Sequence, residues 1–450
     1  MTGLSIAVGT LVAGALGLLA WEARAGRRAQ RAARWVTLAA LLIACACTAL
    51  PATQGSTLPA LRALLPDELS RLLRGVFLLG MALRLALAPG LARADRDAEQ
   101  APAHDALHLL SAAGAALALS TSDLLLVALG VMLFAAARPP SPHADAFDAS
   151  RVRLLGVGAL CFGVSLLYAG TATLDLGVMS QYLWEHPGPQ AALLYAGVGL
   201  TLAGLALLSG LLHPLPASAP REATDAVLGM GVLLRLALGG LGALQYVWGW
   251  LVAGAGLAAM LAGWLRARRR PGLERVGALD AAQRGLLLLT LAFAHTAGGL
   301  QAALMATVAY WLAEAVTTAV ARRLAADAPA RADATGLLAR NPCLAVALLL
   351  GLLSLASTPL TLGFSGRAAL LWAAPDAPRL ALALAALVLS ALCAAEYLPL
   401  VLRVVRAPAS DAPLRVPAYV CTLLLVAAVA LLALGVFPQS FAAWVTLIAP

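Results

Sequence analysis

The chain has 450 residues, 62% of them hydrophobic and only 12% charged, with a mean hydropathy of +0.88. That balance leaves too little polar surface for a water-soluble fold and requires lipid as solvent. The net charge of +9 comes from 31 arginines and no lysine, set in short segments between apolar blocks rather than on one soluble face, so membrane topology explains it and a nucleic-acid footprint does not.

The apolar blocks run to roughly 17 to 23 residues, enough at about 1.5 Å per residue to cross a hydrocarbon core of about 30 Å, and they lack the alternation of barrel strands. The expected fold class is therefore an all-α polytopic membrane protein with about fourteen transmembrane helices. The first block, Leu4 to Trp21, has no basic stretch before it and the strongly basic Arg24 to Arg34 after it, so it reads as a retained helix rather than a signal peptide. Further spans are expected near 35–53, 71–91, 105–120, 122–138, 154–172, 190–212, 224–238, 243–265, 285–299, 301–321, 343–362, 379–400 and 416–437. About 24 arginines fall in odd-numbered loops and about five in even ones. The positive-inside rule then places odd loops in the cytoplasm and both termini on the opposite side.

The whole chain, 1–450, reads as one transmembrane domain. Its connectors, such as Arg138 to Arg151, are too short to fold alone, and neither GxGxxG nor GxxxxGK[ST] stands in a strand-to-helix context. No nucleotide or flavin site is expected in this chain, so energy must come from a partner or a gradient. The six cysteines (Cys45, Cys47, Cys161, Cys343, Cys393, Cys421) show no CxxC or Cys/His pattern and read as small core residues, with no metal site.

Ionisable residues inside spans carry the functional information, because each costs roughly 2.5–3.5 kcal/mol at a helix centre. They are Arg84, His108, Arg235, His295, Glu314 and Glu396, with Asp123, His213 and Arg367 nearer span ends. His295 and Glu314, on adjacent spans joined by a short turn, form either a proton relay or a helix-packing hydrogen bond. Glu396, three residues before Pro399, either lines a wet cavity or pairs with Arg403 or another arginine. Arg84 reads as a side chain snorkelling to the interface, and Arg235 as an interior ion pair or a tuning charge. Neither guanidinium releases its proton in the working range. Pro359, in Ser357-Thr358-Pro359-Leu360-Thr361-Leu362-Gly363-Phe364, interrupts a long apolar run as the broken helices of transport sites do.

Several segments, in order, resemble the antiporter-like membrane subunits of respiratory complex I, most of all the N subunit of NADH:quinone oxidoreductase. Leu167 to Leu176 (LYAGTATLDL) is similar to that family's LYGATGTLDL, and Asp123-Leu124-Leu125 with Leu129-Gly130 to its NDLL…LGLELLSL. Gly299-Leu300-Gln301-Ala302 resembles GLQA, Leu353 to Pro359 with Gly363 to Arg367 resembles SLAGIP…GFIGK, and Leu434 to Pro438 resembles LGLFP. The resemblance covers most of the chain. It implies two inverted five-helix repeats with broken helices, an antiporter-like core at 105–400, N-terminal helices in 1–104 and a C-terminal helix region in 401–450. It implies proton translocation coupled to electron transfer in a bacterial plasma (inner) membrane, among other membrane and peripheral subunits. NADH, flavin, iron-sulfur clusters and quinone are then expected on partner subunits, with no redox centre here.

The family's titratable residues are replaced. Its glutamate in the fifth span aligns with Met132, its lysines with Ala206 and near Ala226, and the GFIGK lysine with Arg367, while the histidine of its PFH segment is kept as His213. KRLLAYSSIAH has become Glu274 to Arg284 (ERVGALDAAQR). Arginine keeps the charge of lysine but holds its proton. The candidate proton path is then His213, His295, Glu314 and Glu396, with Arg235 and Arg367 tuning charge and Pro359 breaking the helix. The alternatives are a non-pumping structural subunit of the same complex, or a subunit of a cation/proton antiporter or membrane-bound hydrogenase.

Overall fold

The computed structural model describes residues 3–25, 30–48, 67–91, 101–137, 146–186, 192–212, 222–327, 334–374, 376–406, 413–439 and 443. Nearly all are helical. The chain divides into two compact units, Met1–Leu85 with Asp95–Gly210 and Val227–Trp248, and Ala86–Ala94 with Leu211–Ala226 and Gly249–Pro450.

The first unit contains α1 (Gly3–Ala25), α2 (Gln30–Thr48), most of α3 (Glu68–Leu91), α4 (Ala101–Ala118), α5 (Leu124–Ala136), α6 (Ala146–Thr171), α7 (Leu176–Glu185), α8 (Ala192–Leu208) and most of α9 (Ala223–Leu238). α1 packs on α2 and α4, α4 on α5, and α6 on α8. α7 occupies a stretch that the apolar pattern leaves as a connector between spans 154–172 and 190–212. Its ten residues fall short of a crossing, which is why span length alone does not reveal it.

The turns that open α5 and α7 are tied together. Asp123 and Asp175 form an isolated antiparallel bridge, in which Leu124 N donates to Leu174 O at 2.8 Å and Leu176 N to Ser122 O at 2.8 Å. Each aspartate also caps its helix: Asp123 Oδ1 accepts from Leu125 N and Leu126 N at 2.8 and 3.1 Å, and Asp175 Oδ1 from Gly177 N and Val178 N at 2.8 and 3.1 Å. The carboxylates satisfy helix-start N–H groups that have no partner within the helix. Two of the most specific family-like motifs are therefore structural caps. Asp123→Ala and Asp175→Ala are each expected to lower stability by about 1 kcal/mol, with Asn retaining most of it, as read from the unfolding midpoint of the detergent-solubilised chain.

The second unit holds α10 (Gln245–Ala267, apart from its first turn), α11 (Glu274–Thr290, prolonged by a 3₁₀ turn at Leu291–Phe293), α12 (Ala297–Asp327), α13 (Leu337–Arg340), α14 (Pro342–Leu355), α15 (Leu362–Trp372), α16 (Ala377–Val405) and α17 (Ala418–Val436). Among the described residues, six helical stretches are long and apolar enough to cross a membrane: Ser150–Thr171, Gly242–Ala267, Glu274–Phe293, Ala297–Ala326, Ala377–Val405 and Ala418–Val436. Six further apolar helices are shorter. The stretches Glu274–Phe293 and Ala297–Ala326 are 83% and 89% buried, against 28% and 33% for Ala377–Val405 and Ala418–Val436, so α11 and α12 form the centre of this unit and α16 and α17 its periphery.

α11 corrects the sequence expectation in one consequential place. The span placed at 285–299 begins eleven residues earlier, because the charged run Glu274 to Arg284 is helix rather than loop. Arg284, counted above as a loop arginine, is fully buried.

The helix of the span expected at 343–362 ends at Leu355, before Pro359, and α15 follows the break in a stretch that the apolar pattern leaves as a connector. Proline offers no N–H to continue the ladder, and Ser357 and Leu360 on either side adopt left-handed φ values of 60° and 73°. Two glycines let the break close. A Cβ on Gly363 would stand 2.0 Å from Ser354 O, and one on Gly435 of α17 would stand 2.4 Å from the Thr361 carbonyl carbon. These glycines belong to the GFSGR and LGVFP segments, so close backbone approach at the break accounts for both.

Candidate functional site

The centre of the second unit is polar. On α11, Asp280, Gln283 and Arg284 share a helix face through their i, i+3 and i+4 spacing; on α12, Tyr310 and Glu314 do the same. Arg284 Nε donates to Asp280 Oδ2 at 2.9 Å, and Tyr310 Oη donates to Asp280 Oδ1 at 2.5 Å. Arg284 also donates to Glu222 O at 3.3 Å and lies 5.7 Å from the centre of the Tyr310 ring. Glu314, 4% exposed, receives a side-chain hydrogen bond from Thr317 Oγ1 at 3.4 Å and lies within the electrostatic reach of Asp280 and Arg284.

A second group surrounds the helix break. Arg367 on α15 donates to Gln283 Oε1 at 2.7 Å, to Leu355 O at 3.2 Å and to Gly363 O at 3.4 Å. Gln283 Nε2 donates to Leu355 O at 3.1 Å and to Tyr397 Oη at 3.4 Å. The guanidinium thus holds a carbonyl that the end of α14 leaves free, as a helix terminus in an apolar setting requires. Tyr310, Gln283, Ser354, Leu355, Gly363 and Arg367 line a cavity of about 20 Å³ between the two groups.

In the first unit, Arg235 plays the corresponding part at the end of α4. It donates to Leu119 O at 3.0 Å, to Thr121 O at 2.8 Å and to Ser70 Oγ, and it pairs with Asp67 at 3.3 Å. Arg235 is thus in an ion pair, with an Asp67 whose side chain is exposed rather than interior. Arg74, 3% exposed, donates to Ser120 Oγ at 2.7 Å beside it.

The remaining predicted residues scatter. His213 lies outside the described residues. His295 is exposed, in the turn before α12, and Glu314 stands seventeen residues into that helix, about 26 Å along its axis. The two are not brought together. Glu396 pairs with Arg275 at 3.2 Å, so its partner is an arginine other than Arg403. Arg84 and His108 are half-buried, and Pro359 is exposed at the break. Met132 lies 3.8 Å from Cys161 through their sulfurs, and Ala206 and Ala226 are buried. Sequence reading missed Asp280, Gln283, Arg284 and Tyr310. The signal that could have found them is the i, i+4 repetition of Asp280 and Arg284 ahead of Tyr310 and Glu314.

Residues 226–393 match the family described as NADH:quinone oxidoreductase/Mrp antiporter, TM, a stretch that includes Asp280, Arg284, Tyr310, Glu314 and Arg367. The NADH-quinone oxidoreductase subunit N of Halorhodospira halophila is 30% identical over 63% of this chain and 63% of that protein, and the subunit N of Methylovorus glucosotrophus is 30% identical over 63% and 62%. The chain thus spans under two thirds of the length of these two relatives. The subunit N 1 of Sorangium cellulosum is 31% identical over 70% of this chain and 68% of its own length. In fold, the chain is similar to a chain of respiratory complex I from Thermus thermophilus with bound aureothin (TM-score 0.75, 23% identity, 97% and 98% covered). It is also similar to a chain of the Mrp complex from Dietzia sp. DQ12-45-1b (TM-score 0.79, 20% identity, 100% and 97% covered). By the match to the Sorangium protein, together with motifs that recur as caps and close contacts in an all-helical membrane fold, the chain belongs to the NADH-quinone oxidoreductase subunit N family.

Proposed function

We propose that this chain is a membrane-arm subunit of a complex I type NADH:quinone oxidoreductase in a bacterial plasma membrane. Partner subunits hold flavin and iron-sulfur clusters and react NADH and quinone, and this chain carries no redox centre. We assign it about fourteen crossings, with two inverted five-helix repeats in 105–400, cytoplasmic odd-numbered loops and both termini on the opposite side. The names of its relatives and the likeness of its fold to chains of complex I and Mrp assemblies support this reading.

The observation that carries the mechanistic part is the buried Asp280–Tyr310–Glu314 group, with Arg284 against one carboxylate and Thr317 on the other. Carboxylates inside a membrane bundle are costly to keep unless they serve transport. Tyr310 donates a hydrogen bond to Asp280 while Arg284 holds that carboxylate in place. Glu314, one helical turn from Tyr310, is the buried carboxyl that takes up and gives back the proton. Arg284 and Arg367 keep their charge throughout and set the field in which these carboxyls load and release. On this reading the proton path runs in the second unit through Glu314, with Asp280 and Tyr310 taking the part expected of His295 and Glu396.

A second reading, a subunit that braces the membrane arm without pumping, draws on the first unit. There the positions that the resemblance aligns with the family's glutamate and one of its lysines are Met132 and Ala206, and Arg235 is fixed by backbone carbonyls and Asp67. Reconstituted vesicles separate the two. With Glu314→Gln or Asp280→Asn, quinone reduction is expected to continue while protons moved per electron fall. A ratio unchanged in both variants establishes the brace.

A further inference from the structure

Arg367 is 6% exposed, and among the described residues every partner of its guanidinium is neutral: the Gln283 amide oxygen and the carbonyls of Leu355 and Gly363. Its Nε has no hydrogen-bond partner, nor has Ser354 Oγ, 1% exposed on α14. Both residues line the cavity of about 20 Å³, which has room for one small guest. Gly363 in the first turn of α15 also lines it, adding the positive end of that helix. The arginine cannot relieve its charge by losing a proton.

We propose that this cavity is a binding site for one small monovalent anion of the chloride class, held by Arg367 Nε–H and the Ser354 hydroxyl beside the start of α15. The two unpartnered groups can both donate, so the guest must accept. A water molecule would accept as well, but it would leave a permanent buried charge without a counter-charge, which interiors avoid. Of the buried or paired carboxylates around the centre of the second unit, Asp280 is engaged by Arg284 and Tyr310, Glu396 by Arg275, and Glu314 accepts from Thr317 Oγ1; none is a hydrogen-bond partner of Arg367. The bound anion cancels the charge of Arg367 in place, so the arginine reinforces the helix break without repelling a proton nearby. The inference rests on the cavity and its donors and stands whether or not Glu314 carries protons.

Thermal unfolding of the full-length chain in nanodiscs tests it, with sodium and ionic strength fixed while chloride is exchanged for gluconate, an anion too large to enter. A saturable rise in midpoint with chloride and with bromide is expected, following the linkage of ligand to folded state. Ser354→Ala is expected to raise the half-saturating chloride concentration about tenfold, equivalent to about 1.4 kcal/mol, and Arg367→Gln to abolish the dependence. If Arg367→Gln does not fold, the wild-type titration and Ser354→Ala decide. Equal midpoints in chloride and gluconate, or a chloride effect undiminished in Ser354→Ala, would overturn the proposal in favour of a single water.

Discussion

Arg284→Ala is expected to destabilise the chain by about 3–5 kcal/mol, because it leaves the Asp280 carboxylate buried without its cation. Arg284 is fully enclosed, and its 2.9 Å bond to Asp280 together with its place at the Tyr310 ring closes the centre of the second unit. Asp280→Ala is expected to cost a similar amount for the opposite reason, stranding the guanidinium. The double substitution Asp280→Asn with Arg284→Gln removes both charges and should lose less than the two single changes together, with a coupling energy of about 2 kcal/mol. Unfolding titrations in mixed detergent measure all three. Single losses under about 1 kcal/mol would mean that the pair is solvated and worth no more than a surface bridge.

Gly363→Ala is expected to cost about 3 kcal/mol, the upper end of the range for overpacking, because the new methyl would sit 2.0 Å from a backbone carbonyl rather than against the movable end of a side chain. Relief requires α15 to shift from α14, which pulls Arg367 from Leu355 O and widens the break. Gly158→Ala in α6 is the matched control: a Cβ there meets nothing within 4 Å, so higher helix propensity should leave stability unchanged or raise it by about 0.5–1 kcal/mol. The same unfolding titrations distinguish the two. Equal effects would show that the close approach at Ser354 relaxes freely.

The family-like motifs could be found in the sequence without their meaning. Asp123 and Asp175 stand out as polar residues in apolar text, yet only the bridge between their turns shows that they cap two helices. Pro359 marks a break from sequence alone, since a missing N–H is a local property. That Gly435 closes on Thr361 at that break depends on segments about seventy residues apart, beyond the reach of any local pattern. The misplacement of α11 has a plain cause. Four charges within Glu274 to Arg284 resemble a loop to any hydropathy scale, because such a scale cannot record that Arg284 and Asp280 neutralise each other one turn apart.

The sequence by itself determined that this chain lives in lipid and is built of helices. It also determined that no residue can serve as a titratable lysine, because these are matters of composition and block length. Which ionisable groups meet was decided by the tertiary structure alone. Partnership in a bundle is set by the face each helix turns toward its neighbours, so His295 was turned outward, Glu396 given to Arg275, and Asp280, Arg284, Tyr310 and Glu314 gathered at the centre.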